Sequence, residues 1–332
     1  MPRLLFTLLI SFCLLAPLQA TTLKIATIVP DGTTWMKQLR AAAKQVDQGT
    51  DGRLKIRYYP GGVMGSDQSV LRKIRVGQLH GGAITGGGLM RLYPDAELYS
   101  LPFLFRDLGE VDHVRQVMDE KFIAGLKAKG FISYGISEGG FAYLMSNRPV
   151  RRTEDLHGLK IWIPEGDQTN ARAFNTLGIT PIPLPVTDVL TGLQTGLIDT
   201  VATSPIGAIA LQWHTRVKYL TQVPLAYLYA SLIIKESALK RVSAADRAVL
   251  RQAMQDAFTR LNRQNRKDEK GALAALAQEG ITFIKPSPQE LAGWERHAAH
   301  TIAEMDDGRR FSHALLKQIE GLIQDYRTQP HP

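Results

Sequence analysis

Residues 156–205 read LHGLKIWIPEGDQTNARAFNTLGITPIPLPVTDVLTGLQTGLIDTVATSP, and this stretch narrows the possible folds further than any other. Leu159–Ile163 is short, apolar and β-branched, the pattern of a strand near the middle of a sheet. Asp167 opens a helical run that puts Ala171, Phe174 and Leu177 on one face, and Gly178 stops it. In Thr180–Pro185 prolines on alternate residues fix φ and remove ladder donors, which excludes a central strand. Thr187 caps a short helix ending near Gly196, and Ile198–Thr203 starts another strand. Strand, helix, crossover, helix, strand predicts a mainly parallel sheet with helices on its faces. Ligands of such sheets sit beyond the carboxyl ends of the strands, which puts Trp162, Ile163, Glu165 and Ser204 in view.

The N-terminal part repeats the rhythm. Thr22–Val29 and Arg53–Tyr59 read as strands, and a helix stripe of Trp35, Leu39, Ala42 and Val46 lies between them. Ser66 caps a further helix, and Gly81–Thr85 forms the next strand. A helix follows around Glu110–Lys129. Two strand runs, Phe131–Ser137 and Phe141–Asn147, are joined by a tight turn at Glu138–Gly140. Ile206–His214 reads as helix, and Val217–Val223 and Leu225–Ile234 as strands. Ser243 to Asp246 is a capping-box-like start for a helix reaching about Gln278. At 1.5 Å per residue such a helix is ~50 Å long, more than one lobe, so it bridges two. Ser287-Pro288-Gln289-Glu290 begins another helix, with proline in its first turn.

At 332 residues the chain has length for about two domains. Met1–Ala20 has a basic start at Arg3, an apolar run and a small-residue exit, the pattern of a secretory signal too short to span a bilayer. The single cysteine, Cys13, lies inside it, so the exported chain has no disulfide, thiolate metal site or cysteine nucleophile. The net charge of +9 comes from scattered residues, the densest being Arg260, Arg263, Arg266 and Lys267 on the long helix. That is a solvated helix face rather than a nucleic-acid footprint.

Three constellations suggest chemistry. Gly135-Ile136-Ser137-Glu138-Gly139 matches the hydrolase elbow G-x-S-x-G, but the elbow needs a helix after its strand and Phe141–Asn147 reads as strand. Gly81–Gly88 is glycine-rich but lacks the order of a phosphate cradle; Thr85 in it is a candidate for a ligand-facing wall. His297, His300, His313 and Glu295 do not reach a metal-ligand spacing, and exposed helix histidines explain them.

Taken in order, several motifs resemble one family. They are Pro30-Asp31-Gly32-Thr33, Tyr59-Pro60-Gly61-Gly62-Val63-Met64-Gly65, Ile74–Leu79, Leu101–Phe105, Gly158–Pro164, Phe174–Pro183 and Asp188–Asp199. The series resembles the solute-binding subunit of TRAP transporters, the DctP type, over nearly the whole exported chain. The resemblance implies a two-lobe periplasmic binding-protein fold of α/β class, with a hinge and a long inter-lobe helix. It assigns 21–139 plus 229–268 to a first lobe, 140–228 plus 269–325 to a second, and 326–332 to a frayed tail. It implies a monomer in the periplasm that clamps a small organic solute, uses no cofactor, performs no catalysis, and meets the membrane permease subunits of a TRAP transporter. The alternatives are an exported hydrolase using Ser137 and a ligand-sensing module.

One departure bears on the ligand. The family's carboxylate-binding arginine stands in G-x-K-x-R, whereas Gly158-Leu159-Lys160-Ile161-Trp162 ends in tryptophan; secondary arginine positions fall at Gly88 and Ala142. An indole offers a flat apolar face and one N–H donor, so the expected ligand has apolar or aromatic surface or a stacked cation, and is not a simple dicarboxylate. Otherwise Trp162 is core, and Arg172 or Arg148 reaches the ligand. The candidate wall comprises Asp31, Trp35, Thr85, Phe141, Tyr143, Trp162, Glu165, Ser204, Trp213 and Tyr227.

Overall fold

A computed structural model describes residues 20–306 and 310–329. The signal expected at Met1–Ala20 therefore lies, but for its last residue, outside the described residues. In chain order the elements are β1 (Thr21–Thr27), α1 (Thr34–Gly49), β2 (Leu54–Tyr59), α2 (Asp67–Arg75), β3 (Gly81–Thr85), α3 (Gly86–Leu89) and α4 (Leu108–Ala128). Next come β4 (Phe131–Ser146), β5 (Trp162–Pro164), α5 (Gln168–Thr176), β6 (Ile182–Leu184), α6 (Val189–Thr195), β7 (Thr200–Thr203) and α7 (Pro205–Ala210). The chain ends with β8 (Tyr219–Lys235), α8 (Ala244–Gln278), β9 (Thr282–Ile284), α9 (Pro288–Met305) and α10 (His313–Thr328).

Helix starts follow the capping signals. Thr33, Ser66, Asp107, Asp167, Ser204, Ser243 and Ser287 each accept a backbone N–H with the side chain at an N-terminus. Asp31 pairs with Arg40 at 2.7 Å, and Thr33 takes the cap of α1. Thr187 does not cap; it lies in a short 3-10 turn, and Asp188 precedes α6.

The sheet is mixed: the parallel pairing expected within 156–205 and in the N-terminal part is present, with Ile161 also bridging Thr200 in parallel, and the long strands add antiparallel pairs. Parallel pairs occur at β1–β2, β1–β3, β5–β6 and β8–β9, but β3–β8, β4–β8 and β4–β7 are antiparallel. The physical reason is that β4 and β8 are single long strands running past each other in opposite directions. The expected turn at Glu138–Gly140 is a bulge inside β4, where the register against β8 shifts between Glu138 and Gly140 and Gly140 adopts φ +80°. β6, with Pro183 at its centre, pairs only with β5, consistent with the exclusion of proline from central ladders.

Four buried clusters make the cores. One joins Ile74 of α2, Ile84 of β3 and Val114, Met118 and Phe122 of α4. A second packs Leu39 and Val46 of α1 and Leu250, Met254 and Leu261 of α8 on Leu23 and Ile25. A third gathers Met145, Trp162, Leu193, Val201, Trp213 and Leu276, and a fourth joins Leu144, Val150, Leu156, Ile161 and Trp294. The 35-residue α8 thus serves one lobe with Leu250–Leu261 and the other with Leu276, ~50 Å of helix fixed at both ends. Two boundaries differ from expectation. Leu316, Ile319 and Ile323 of α10 pack into the α4 cluster of the first lobe, although the sequence assigned residues up to 325 to the second. The tail expected to fray from 326 is helical through Thr328, because the Ile323 side of α10 is held in that core.

Candidate functional site

A cavity of about 900 Å³ opens where β4, β8 and α8 pass from one lobe to the other. Its first-lobe wall includes Trp35 at the start of α1 and the segment Thr85–Gly88 with Arg91. Its second-lobe wall includes Trp162–Glu165 at the end of β5, Ser204 at the start of α7, Trp213, and Trp294 and His297 of α9. Gly139 and Gly140 of β4 and Asn265–Glu269 of α8 form the floor at the crossing.

Six of the ten sequence candidates meet there: Trp35, Thr85, Trp162, Glu165, Ser204 and Trp213. The other four do not line the cavity. Asp31 is on the surface with Arg40. Phe141 and Tyr227 are buried against each other in the first-lobe core, ring centroids 5.9 Å apart, and the Tyr227 hydroxyl accepts from Arg115. Tyr143 is half-buried beside the same core, its phenol pushed up first by burial and then by the nearby Glu269 carboxylate.

Trp162 is both core and wall. It stands edge-on to Trp213 at 5.1 Å, and its indole N–H donates to the Leu184 carbonyl at 2.9 Å. The donor attributed to it is therefore already used, and only the ring face remains for a solute. Arg172 and Arg148 donate to the Glu304 and His157 carbonyls and are not in the wall. Gly88 has no room for a side chain, since a Cβ would lie 2.6 Å from Asp67 Oδ2.

The sequence missed Arg91. Its guanidinium crosses the cleft to donate to the Glu165 carbonyl at 3.3 Å, and it makes no ion pair among the described residues. It lies so close to Gly166, at φ +80°, that a Cβ there would overlap it. Only that glycine beside Glu165 hinted at a close approach.

The acids of the site differ in how they are satisfied. Glu138, buried in β4, is held by Arg266 through Nε at 2.7 Å and Nη2 at 2.8 Å. Glu97, also buried, pairs with Arg310 at 2.8 Å while Arg310 donates to Thr169 across the cleft. Burial pushes Asp67 up to about 6, against the hydroxyl and backbone N–H of Thr85, which both donate to it. Asp167 is likewise raised by burial, opposed by its cap bonds to Asn170. Burial pushes Glu269 up to about 7, opposed by the backbone N–H of Ile206.

Two of the other constellations lose their chemistry here. Ser137 is fully buried in mid-β4, its hydroxyl has no partner, and it does not face the cavity, so no hydrolase elbow exists. His297 bonds the Ala173 carbonyl, His300 and His313 pair with Glu304 and Asp306, and no metal-holding group of three occurs among the described residues. No helix among the described residues is long and apolar enough to cross a membrane.

Two α/β lobes, joined by two long strands and one long helix around a central cavity, define a solute-binding protein of the hinged-clamp class. More particularly, residues 25–307 match the family described as "Bacterial extracellular solute-binding protein, family 7", and the chain belongs to it. A solute-binding protein of Verminephrobacter eiseniae is 27% identical over 283 residues, covering 83% of this chain and 82% of its own. The 2,3-diketo-L-gulonate-binding periplasmic protein YiaO of Escherichia coli is 27% identical over 241 residues, covering 71% and 72%. The fold matches the sugar acid binding protein DctPAm of Advenella mimigardefordensis, solved with galactonate, at a TM-score of 0.85 and 20% identity, covering 93% of this chain and 99% of that one.

Proposed function

We propose that the chain works in the periplasm, capturing a small organic solute between its lobes and handing it to the membrane subunits of a TRAP-type transporter. The observation that carries this is the cavity itself, walled by both lobes at the place where β4, β8 and α8 pass between them. Binding energy spent across such a cleft favours the closed arrangement, and closure changes the surface that a membrane partner meets. Relatives named as periplasmic binding proteins for sialic acid and C4-dicarboxylates support the compartment. The export signal at Met1–Ala20 fits the same compartment. The protein acts as a monomer, since each lobe has its own core and the cavity is complete within one chain. The wall residues that touch solute are Trp35, Thr85, Arg91, Trp162, Glu165, Ser204 and Trp213.

X-ray scattering and tryptophan fluorescence with defined solute mixtures test the reading. A bound solute should shrink the radius of gyration and alter emission from the tryptophans of the wall. Unchanged curves and spectra in every mixture would refute it.

A further inference from the structure

We propose that the solute carries a protonated nitrogen on an apolar body, its charge paired by Glu269 and its body laid against Trp162 and Trp213; this rests on the solute-binding reading above. Glu269 lines the cavity from α8, at the crossing of the lobes. Its Oε2 is buried and has no hydrogen-bond partner. Among the described residues Glu269 accepts from a backbone N–H, that of Ile206, and has no side-chain partner, whereas Glu138 has Arg266, Glu97 has Arg310 beside its own orphaned Oε1, Asp67 has Thr85 and Asp167 has Asn170. A buried carboxylate with an orphaned oxygen is costly unless something charged or donating arrives to meet it.

The surroundings favour a cation as that visitor. From β4, Glu138 adds a second negative charge and Tyr143 a neutral phenol; from α7, the Ile206 backbone N–H donates to the carboxylate. On α8 itself, Arg266 is committed to Glu138 and Asp112, so it forms no ion pair with Glu269. Gly140 presses on the carboxylate from β4, where a Cβ would lie 3.2 Å from Oε1, so glycine there keeps the space open. A purely anionic solute would bring like charge to this group.

The wall completes the case. Where the resemblance places a carboxylate-binding arginine, Trp162 presents an aromatic face with its N–H already used. Two edge-on indoles, Trp162 and Trp213, form an apolar bed that also attracts a nearby cation. Arg91 makes no ion pair among the described residues and lies near enough to Asp67 to lower its pKa, so an amino-acid-like zwitterion fits as readily as a simple amine.

The charge state supplies a readout. With burial holding Glu269 near 7, pairing with an ammonium draws its proton off, so binding at pH 7 releases protons. An anion bound there would do the reverse and take protons up.

The test equilibrates the full chain with a mixture of amines, amino acids and carboxylic acids of matched skeletons, including phenethylamine, phenylalanine and hydrocinnamate. Solutes retained after desalting are identified by mass spectrometry, then titrated by calorimetry at pH 7 in two buffers of different ionisation enthalpy. Retention of nitrogen-bearing members, with proton release, and at least a tenfold weaker affinity in Glu269→Gln is the expected result. Glu269→Asp should recover part of that loss, and an unchanged melting profile of Glu269→Gln at pH 5 shows the variant is folded. Retention of carboxylic acids alone, with proton uptake, overturns the ligand class; if scattering then shows closure, the solute-binding reading survives. Retention of nothing overturns the proposal, and if no mixture changes the scattering either, both readings fall together.

Discussion

Replacing Arg266 by methionine should loosen the junction on which the clamp turns. Arg266 donates to both oxygens of Glu138, at 2.7 and 2.8 Å, and to Asp112 of α4 at 2.7 Å. Asn265 and Asn262 flank it on α8, bonding the Glu138 carbonyl and backbone N–H. Glu138 is 1% exposed, so removal of the guanidinium leaves a buried carboxylate. Breaking a buried pair costs about 3–5 kcal/mol. Two features reduce that here: Arg266 is 36% exposed at its side chain, and Arg115 stays 3.9 Å from Glu138. The expected loss is therefore about 2–3 kcal/mol, below the fully buried range. At about 2 °C per kcal/mol for a long chain, the melting temperature falls by about 4–6 °C. Calorimetry and urea titration measure it, and the cycle with Glu138→Gln isolates the pair. Because glutamine carries no charge to strand, Glu138→Gln/Arg266→Met should regain at least about 1 kcal/mol over Arg266→Met alone, the desolvation penalty of the unpaired acid. An Arg266→Met variant within about 0.5 kcal/mol of the parent, with additive singles, would refute the reasoning.

Thr85→Val removes the hydroxyl that donates to Asp67 at 2.6 Å, so Asp67 should titrate about one unit or more above its present value near 6, as NMR of the Asp67 carboxyl would read. Gly166→Ala should cost about 1–2 kcal/mol for the positive φ and displace Arg91, seen as a lower melting temperature and weaker binding of any carboxylate-bearing zwitterion, while Arg91→Met weakens the binding without the stability loss. Glu269 gives a slope of definite sign: raised in the folded state from its ordinary 4.5 to about 7, it binds more protons folded than unfolded between those values. Stability therefore falls as pH rises from about 4.5 through about 7, and Glu269→Gln should flatten that part of the melting-temperature profile, leaving the same-signed contributions of Asp67, Asp167 and Glu97.

Caps, helix stripes and the bridging helix were legible because each depends on residues close in sequence: Ser243 and Ser287 start helices that the structure shows, and α8 ends at Gln278 as expected. Pairing direction was legible where strand, helix and strand follow in sequence, at β1–β2, β1–β3 and β5–β6, but not for β4 and β8, whose partners arrive from distant sequence. Glu269 and Arg91 escaped notice for the same reason. A helix pattern marks which face is buried, but not that the groups opposite Glu269 would leave its Oε2 without a partner.

The misplaced aromatics at the crossing have one identifiable cause. Dividing β4 at its glycines made Phe141 and Tyr143 look like residues emerging from a turn into open space. In a continuous strand, neighbours point to opposite faces. Gly140 and Ala142 of β4 are paired with Leu228 and Ala226 of β8, and these four line the cavity. The alternate pair, Phe141 with Tyr227, therefore points the other way, into the α4 core. The cleft side of the crossing is built of Gly140, Ala142 and Ala226 with one larger residue, Leu228, and the core side of rings. A hinge of that construction keeps volume free for a solute while packing itself firmly from behind. Phe141→Ala should therefore cost about 3–5 kcal/mol of stability through the core and leave solute affinity nearly unchanged, whereas Ala142→Phe should do the opposite by filling the cleft.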